Sequence, residues 1–248
     1  MFLITMAGLS SRFFSAGYTV PKYQLKIGQA TVFELSVRSF ERYFNTDKFV
    51  FVVRDIFDTP KFVRAECEKM AISQYEVIVL NEETRGQAET AFLALEQLQG
   101  DEPLYIFNID TFRHGFEKPE FAETCDGYLE VFHGEGENWS FVAPGQNGTV
   151  IRTTEKDRIS DLCSDGLYHF RSYDLFRKIF TRARTNDERT RGEFYVAPLY
   201  NNLIADGGDV RYTVVDLRDI DFCGTPDEYS ALLSKTESSI QIISGAQQ

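Results

Sequence analysis

The sequence predicts an α/β fold: a doubly wound mixed sheet flanked by helices, with an α+β second half facing substrate. Apolar, β-rich runs alternate with helical patterns through the first half. Each run is short enough to be a strand of a sheet covered on both faces. Beyond Asp110 the rhythm changes to strands punctuated by glycine.

Taken in order, Phe2 to Met6 reads as a strand, Thr31 to Tyr43 as a helix, Phe49 to Val53 as a strand and Phe62 to Met70 as a helix. The helix at Thr31 opens with a capping box, since Thr31 can accept a backbone hydrogen bond while Glu34 reaches back. Glu76 to Leu80 (strand), Gln87 to Leu98 (helix) and Leu104 to Ile109 (strand) continue the series. In the second half the strands are Tyr128 to Phe132, Phe141 to Ala143, Thr149 to Thr154, Leu167 to Phe170 and Val210 to Val215. Its helices are Tyr173 to Arg182, Phe194 to Ala205 and Asp227 to Leu233. No Pro/Ser-rich linker divides the halves, so residues 1–237 are expected as one domain, with halves 1–112 and 113–237, followed by a loose tail over 238–248.

The 248 residues carry a net charge of −12, which repels nucleic acid and anionic membrane over most approaches. Any phosphate site must be local. Cys67, Cys125, Cys163 and Cys223 stand far apart without C-x-x-C spacing, and are expected as reduced, buried thiols. The apolar opening lacks a basic leader and runs into a Gly/Ser turn, so it reads as a strand and not as a signal peptide. With no apolar run of about 18 residues, a membrane span is not expected, and a cytoplasmic location is the default.

In an open α/β sheet ligands gather beyond the carboxyl ends of the strands, which directs attention to the loop after the first one. It reads Met6-Ala7-Gly8-Leu9-Ser10-Ser11-Arg12-Phe13, followed by Pro21-Lys22. Small residues let backbone N–H groups approach phosphate oxygens, the Ser10 and Ser11 hydroxyls donate, and Arg12 and Lys22 add positive charge. The plainer alternative is a glycine turn at Gly8 with two solvated cations. Neither the P-loop pattern nor the dinucleotide-binding glycine pattern is present.

This loop, with its Pro21-Lys22, resembles the signature of the sugar-nucleotide pyrophosphorylases, a branch of the nucleotidyltransferases. Ser10 stands where that family commonly has a second glycine. Further segments follow in the family's order: Thr84-Arg85-Gly86-Gln87-Ala88-Glu89-Thr90-Ala91 is similar to its base-pocket turn, and Ile106-Phe107-Asn108-Ile109-Asp110 to its metal-holding strand end. Thr154-Glu155-Lys156 and Asp165-Gly166-Leu167-Tyr168 resemble its sugar-phosphate segments, Gly192-Glu193 its sugar-hydroxyl segment, and Asp221-Phe222-Cys223-Gly224-Thr225-Pro226 its late D-x-G-T-P motif.

The resemblance implies a Rossmann-like fold of the nucleotide-diphospho-sugar transferase kind and a reaction in which a nucleoside triphosphate and a small phosphorylated acceptor, a sugar 1-phosphate, give a nucleotide sugar and pyrophosphate. It implies Arg12, Lys22 and Asp110 as catalytic residues, and Ala7, Gly8, Leu9, Ser10, Ser11, Asn81, Gly86 and Gln87 as nucleotide-binding. Glu155, Lys156, Gly166 and Glu193 would take the acceptor. Mg²⁺ would be held by Asp110 and Asp221, although Asp221 stands one residue too far from Gly224 and Asp219 competes. Each position also has a plain structural reading: Asp110 as a strand-ending turn residue, Glu155 and Lys156 as a solvated pair, Glu193 as a helix-start carboxylate. His114, His133 and His169 receive no catalytic role. A cytidylyltransferase for a non-sugar phosphate in surface-polysaccharide decoration, a glycosyltransferase and a non-catalytic relative stay open, as do the base, the acceptor and the oligomeric state, a homo-oligomer included.

Overall fold

The computed structural model describes the backbone of residues 1–245 and the side chains of residues 1–235. The first half runs β1 (Phe2–Thr5), α1 (Ser11–Ser15), β2 (Lys26–Ile27), β3 (Ala30–Thr31), α2 (Val32–Val37), β4 (Phe49–Arg54), α3 (Thr59–Lys69), β5 (Tyr75–Leu80), α4 (Gln87–Leu95), β6 (Leu104–Asn108) and β7 (Thr111–Arg113). The second runs β8 (Gly127–His133), β9 (Ser140–Pro144), β10 (Val150–Glu155), β11 (Leu162–Phe170), α5 (Tyr173–Thr185), α6 (Tyr200–Ala205), β12 (Val210–Val214), β13 (Ile220–Phe222) and α7 (Pro226–Gly245).

One mixed sheet, nine-stranded among the described residues, passes through both halves in the order β10-β9-β11-β6-β1-β4-β5, with β8 beside β11 and β12 beside β8. β1 is parallel to β4 and β6, and β4 to β5, as a doubly wound core requires. At the junction between the halves β11 lies antiparallel to β6. Alternate residues feed opposite faces. Leu3, Val50, Val52 and Ile106 share a buried cluster with Phe92, Leu95, Phe176 and Phe180, whereas Phe2, Phe49, Phe51 and Phe107 share one with Phe33, Val37, Phe40 and Val63. Both faces are therefore covered, which explains why these strands read as unbroken apolar runs.

Several elements depart from their predicted bounds. The helix expected over Thr31 to Tyr43 is α2 followed by a 3₁₀ stretch, with a kink at Phe40. Thr31 Oγ1 accepts from the Glu34 N–H at 3.0 Å, but the Glu34 carboxylate turns to Arg38 and Lys69, so only half of the capping box forms. A helix through Phe194 to Ala205 is not formed. Pro198 fits only a first turn, so helix begins at Ala197. The β7–β13 pair was not expected, and β11 begins five residues earlier than its predicted Leu167. The helix expected over Asp227 to Leu233 is the longer α7, and the side chains of the tail expected over 238–248 lie outside the described residues. All four cysteines are buried free thiols, and no helix among the described residues is long and apolar enough to cross a membrane.

Candidate active site

A cleft of about 1030 Å³ opens where the loops after β1 and β6 face the ends of β10 and β11. Ala7, Gly8, Leu9, Ser10, Ser11 and Arg12 all line it, with Lys22 and Asp110. Ser10 adopts φ 53°, ψ 30°, the left-handed conformation that glycine enters without penalty. The backbone thus makes the demand that a glycine would meet, and the side chain compensates: Ser10 Oγ accepts from the Lys22 N–H at 3.3 Å. That contact fastens the loop to Pro21-Lys22, twelve residues on. From there Lys22 Nζ donates to Asp110 Oδ2, an ion pair with about a fifth of each side chain exposed.

The floor is a connected polar shelf. Gln87 Nε2 donates to Asn108 Oδ1 at 2.6 Å and to Thr5 Oγ1 at 3.1 Å, linking α4 to the ends of β6 and β1. Next to it, β11 shifts register against β8 between Ser164 and Tyr168. Within that bulge Gly166 takes φ +96°, and a side chain there would collide with the Asn108 amide. Only glycine lets the bulge close on Asn108. Gly86 makes an equally close approach on the other side, its α-carbon against the backbone of Phe194.

Across the cleft stand Glu155 and Lys156. Consecutive strand residues ordinarily face opposite ways, but Lys156 lies just past β10 at φ 53°, and the left-handed turn brings both side chains to the cleft. Glu155 accepts a hydrogen bond from Ser140 Oγ and sits 3.8 Å from Lys156 Nζ. Burial pushes its carboxyl above the usual range, against the opposing pull of Ser140 and Lys156. Lys156 Nζ donates to Tyr195 Oη at 2.5 Å, and exposed Glu193 lines the same wall in extended chain instead of starting a helix. Tyr195 bears no sequence motif of its own beyond adjacency to Gly192-Glu193.

Two predicted residues are not brought here. Asn81 is exposed just beyond β5 and does not line the cleft. Asp221 is turned away, its carboxylate held by His114 Nε2 and Lys235 Nζ, each at 2.9 Å, while its neighbour Phe222 lines the cleft. The reason is register: pairing with β7 alternates side chains along β13, and one residue of offset reverses the face. Asp219 does not line the cleft either. The second carboxylate near Asp110 is Glu228, whose Oε2 caps Gly224 N–H at 2.8 Å and Thr225 N–H at 2.9 Å. Its sequence signal was the T-x-x-E of a capping box at Thr225.

Among the described residues no cluster of three metal-ligating side chains occurs. Mg²⁺ is commonly held by one or two carboxylates with substrate phosphates and water completing the shell. Asp110 matches that donor set: its carboxylate lines the cleft, and the missing side chain of Gly224 leaves room beside it, since a Cβ there would lie 3.1 Å from Asp110 Oδ2 and 3.5 Å from Glu228 Oε2.

No protein-family model and no curated protein matches the chain. Among solved structures, the nucleoside-diphosphate-sugar pyrophosphorylase from Vibrio cholerae RC9 is similar over 94% of this chain and 100% of its own, with 46% identity and a TM-score of 0.90. The inositol-1-phosphate CTP transferase from T. maritima shares the fold at 15% identity and a TM-score of 0.70, covering 95% of each chain. HddC from Yersinia pseudotuberculosis does so at 15% identity and a TM-score of 0.66, over 94% of this chain and 98% of its own. Identity of 46% over nearly the whole of both chains, on a sheet whose β1–α1 loop, Lys22 and Asp110 meet in one cleft, means that the chain belongs to the nucleoside-diphosphate-sugar pyrophosphorylase family of nucleotidyltransferases.

Proposed function

We propose that the protein condenses a nucleoside triphosphate with a sugar 1-phosphate, forming a nucleotide sugar and releasing pyrophosphate. The observation that carries this reading is the convergence on one cleft of a phosphate loop, the Lys22–Asp110 pair and, on the facing wall, Lys156 with Glu155. Two cationic stations on opposite walls suit two anionic reactants brought together in line.

In this reaction a phosphate oxygen of the acceptor attacks the α-phosphorus of the triphosphate. The bond from that phosphorus to the bridging oxygen of the β-phosphate breaks, and its electron pair leaves with pyrophosphate. No general base is needed, because the attacking phosphate is already ionised at neutral pH. Loop amides and Arg12 hold the outer phosphates, Lys22 neutralises charge at the α-phosphate, and Lys156 draws the acceptor phosphate toward it. Asp110 is the residue that would hold Mg²⁺, whose chemistry there is neutralisation of phosphate charge. Glu193 and the Gly166 bulge would address the sugar.

The test is pyrophosphate release with Mg²⁺, using CTP, UTP, dTTP, GTP and ATP against a panel of sugar 1-phosphates and polyol phosphates. Release with one pair names both substrates. Silence across the panel, with a nucleotide sugar bound instead, overturns the reading in favour of a transferase that consumes such sugars.

A further inference from the structure

The Tyr195 hydroxyl holds the Lys156 ammonium on a wall of the cleft that Glu193 shares. Lys156 Nζ donates to Tyr195 Oη at 2.5 Å and also lies 4.5 Å from the centre of the Tyr195 ring. Glu193, two residues along the chain, lines the same cleft. An ammonium can only donate, so the phenol oxygen accepts from Lys156 and keeps its own proton to donate elsewhere. Ammonium, phenol and carboxylate thus share one wall.

The wall is anchored. Phe194, between Glu193 and Tyr195, donates its N–H to Arg85 O at 2.6 Å and accepts from the Ala88 N–H at 3.0 Å, so the backbone beneath Tyr195 is fixed to the turn preceding α4. The Lys156 backbone is held as well, its N–H donating to Trp139 O at 2.9 Å in the left-handed turn that ends β10, so what is left to be set is the direction of its side chain. Glu155 is 3.8 Å from it, beyond hydrogen-bond reach. Among the described residues the Lys156 ammonium makes its hydrogen bond to Tyr195.

We propose that Tyr195 is a positioning residue, which sets the Lys156 ammonium at the acceptor-phosphate station and fixes its spacing from Glu193. The proposal rests on the reading of this cleft as a nucleotidyltransferase site. Through that spacing Tyr195 acts on the acceptor and not on the triphosphate. It acts through Lys156, so its contribution disappears when Lys156 is removed.

The experiment compares Tyr195→Phe, Lys156→Ala and the double variant with the wild-type chain, on the triphosphate and sugar 1-phosphate pair that releases pyrophosphate. Phe keeps the ring and removes the hydroxyl. A hydrogen bond to a charged group predicts roughly a tenfold fall in kcat/KM for the acceptor in Tyr195→Phe. The value for the triphosphate stays within about twofold, and adding Tyr195→Phe to Lys156→Ala costs less than about twofold more. Acceptor kcat/KM within about twofold of wild type in Tyr195→Phe, equal losses for both substrates, or additive losses in the double variant would overturn the proposal while leaving the enzyme's activity intact as a finding. If the wild-type chain releases no pyrophosphate with any pair, both the functional reading and this proposal fall.

Discussion

Gly86 and Phe194 meet backbone to backbone: a Cβ on Gly86 would lie 2.5 Å from the Phe194 carbonyl oxygen, and Gly86 holds φ +112°. Both the clash and the dihedral oppose any side chain. Gly86→Ala is expected to lower stability by about 2 kcal/mol or more. Because Phe194 lies between Glu193 and Tyr195, kcat/KM should fall for both substrates. Urea titration and steady-state kinetics on the same preparation check this.

Lys22 and Asp110 are paired across 88 residues of sequence. Lys22→Ala is expected to lower kcat by about 10² to 10³, the range for losing one preorganised charge donor. Asp110→Ala should remove the dependence of turnover on Mg²⁺ concentration together with most of the turnover. Near-normal rates in either variant would take that residue out of the reaction.

Ser10 combines a left-handed backbone with a side-chain contact to the Lys22 N–H, and substitutions there separate the two. Ser10→Gly relieves the left-handed backbone but gives up the contact with the Lys22 N–H, so stability should change by less than about 1 kcal/mol. Ser10→Val places a β-branched residue at φ 53° and should cost roughly 1–2 kcal/mol and weaken triphosphate binding. Calorimetric titration of each variant with the accepted triphosphate separates the two.

His169 is fully buried between the rings of Tyr105 and Tyr128, with neither ring nitrogen hydrogen-bonded. Burial depresses its pKa from 6.5 to about 3. The unfolded chain therefore binds a proton that the folded chain refuses, and stability is lost as pH falls from 6.5 toward 3. Between pH 7 and pH 5 this group should account for about 2 kcal/mol of lost stability. His169→Phe is expected to flatten that part of the profile, which chemical denaturation at the two pH values measures.

Much of this was legible in the sequence for identifiable reasons. The strands β1, β4, β5 and β6 stood out because both faces of the sheet are covered, leaving continuous apolar runs. The loop from Ala7 to Arg12, with Lys22 and Asp110, was legible because small residues, cations and a strand-end carboxylate recur in order. Asp221 was misleading because a one-residue offset on a short strand reverses its face, and spacing alone does not reveal which neighbour becomes the wall. Glu228 and Tyr195 were hidden for a different reason. Glu228 fell inside the helix expected over Asp227 to Leu233, and Tyr195 stood in what looked like a helix until Pro198 set the start of helix beyond it.

The junction between β6 and β11 has a consequence of its own. These neighbours belong to different halves yet are hydrogen-bonded, Tyr168 opposite Ile106 and His169 opposite Tyr105. Asp110 follows the one strand and the Gly166 bulge interrupts the other. The two walls of the cleft are thus tied together by backbone hydrogen bonds between strands about 4.8 Å apart, and not by a linker. Backbone pairing acts here as a fixed ruler between the two walls of the cleft. A side-chain change on one wall is then expected to alter that wall's chemistry while leaving its distance from the other wall unchanged.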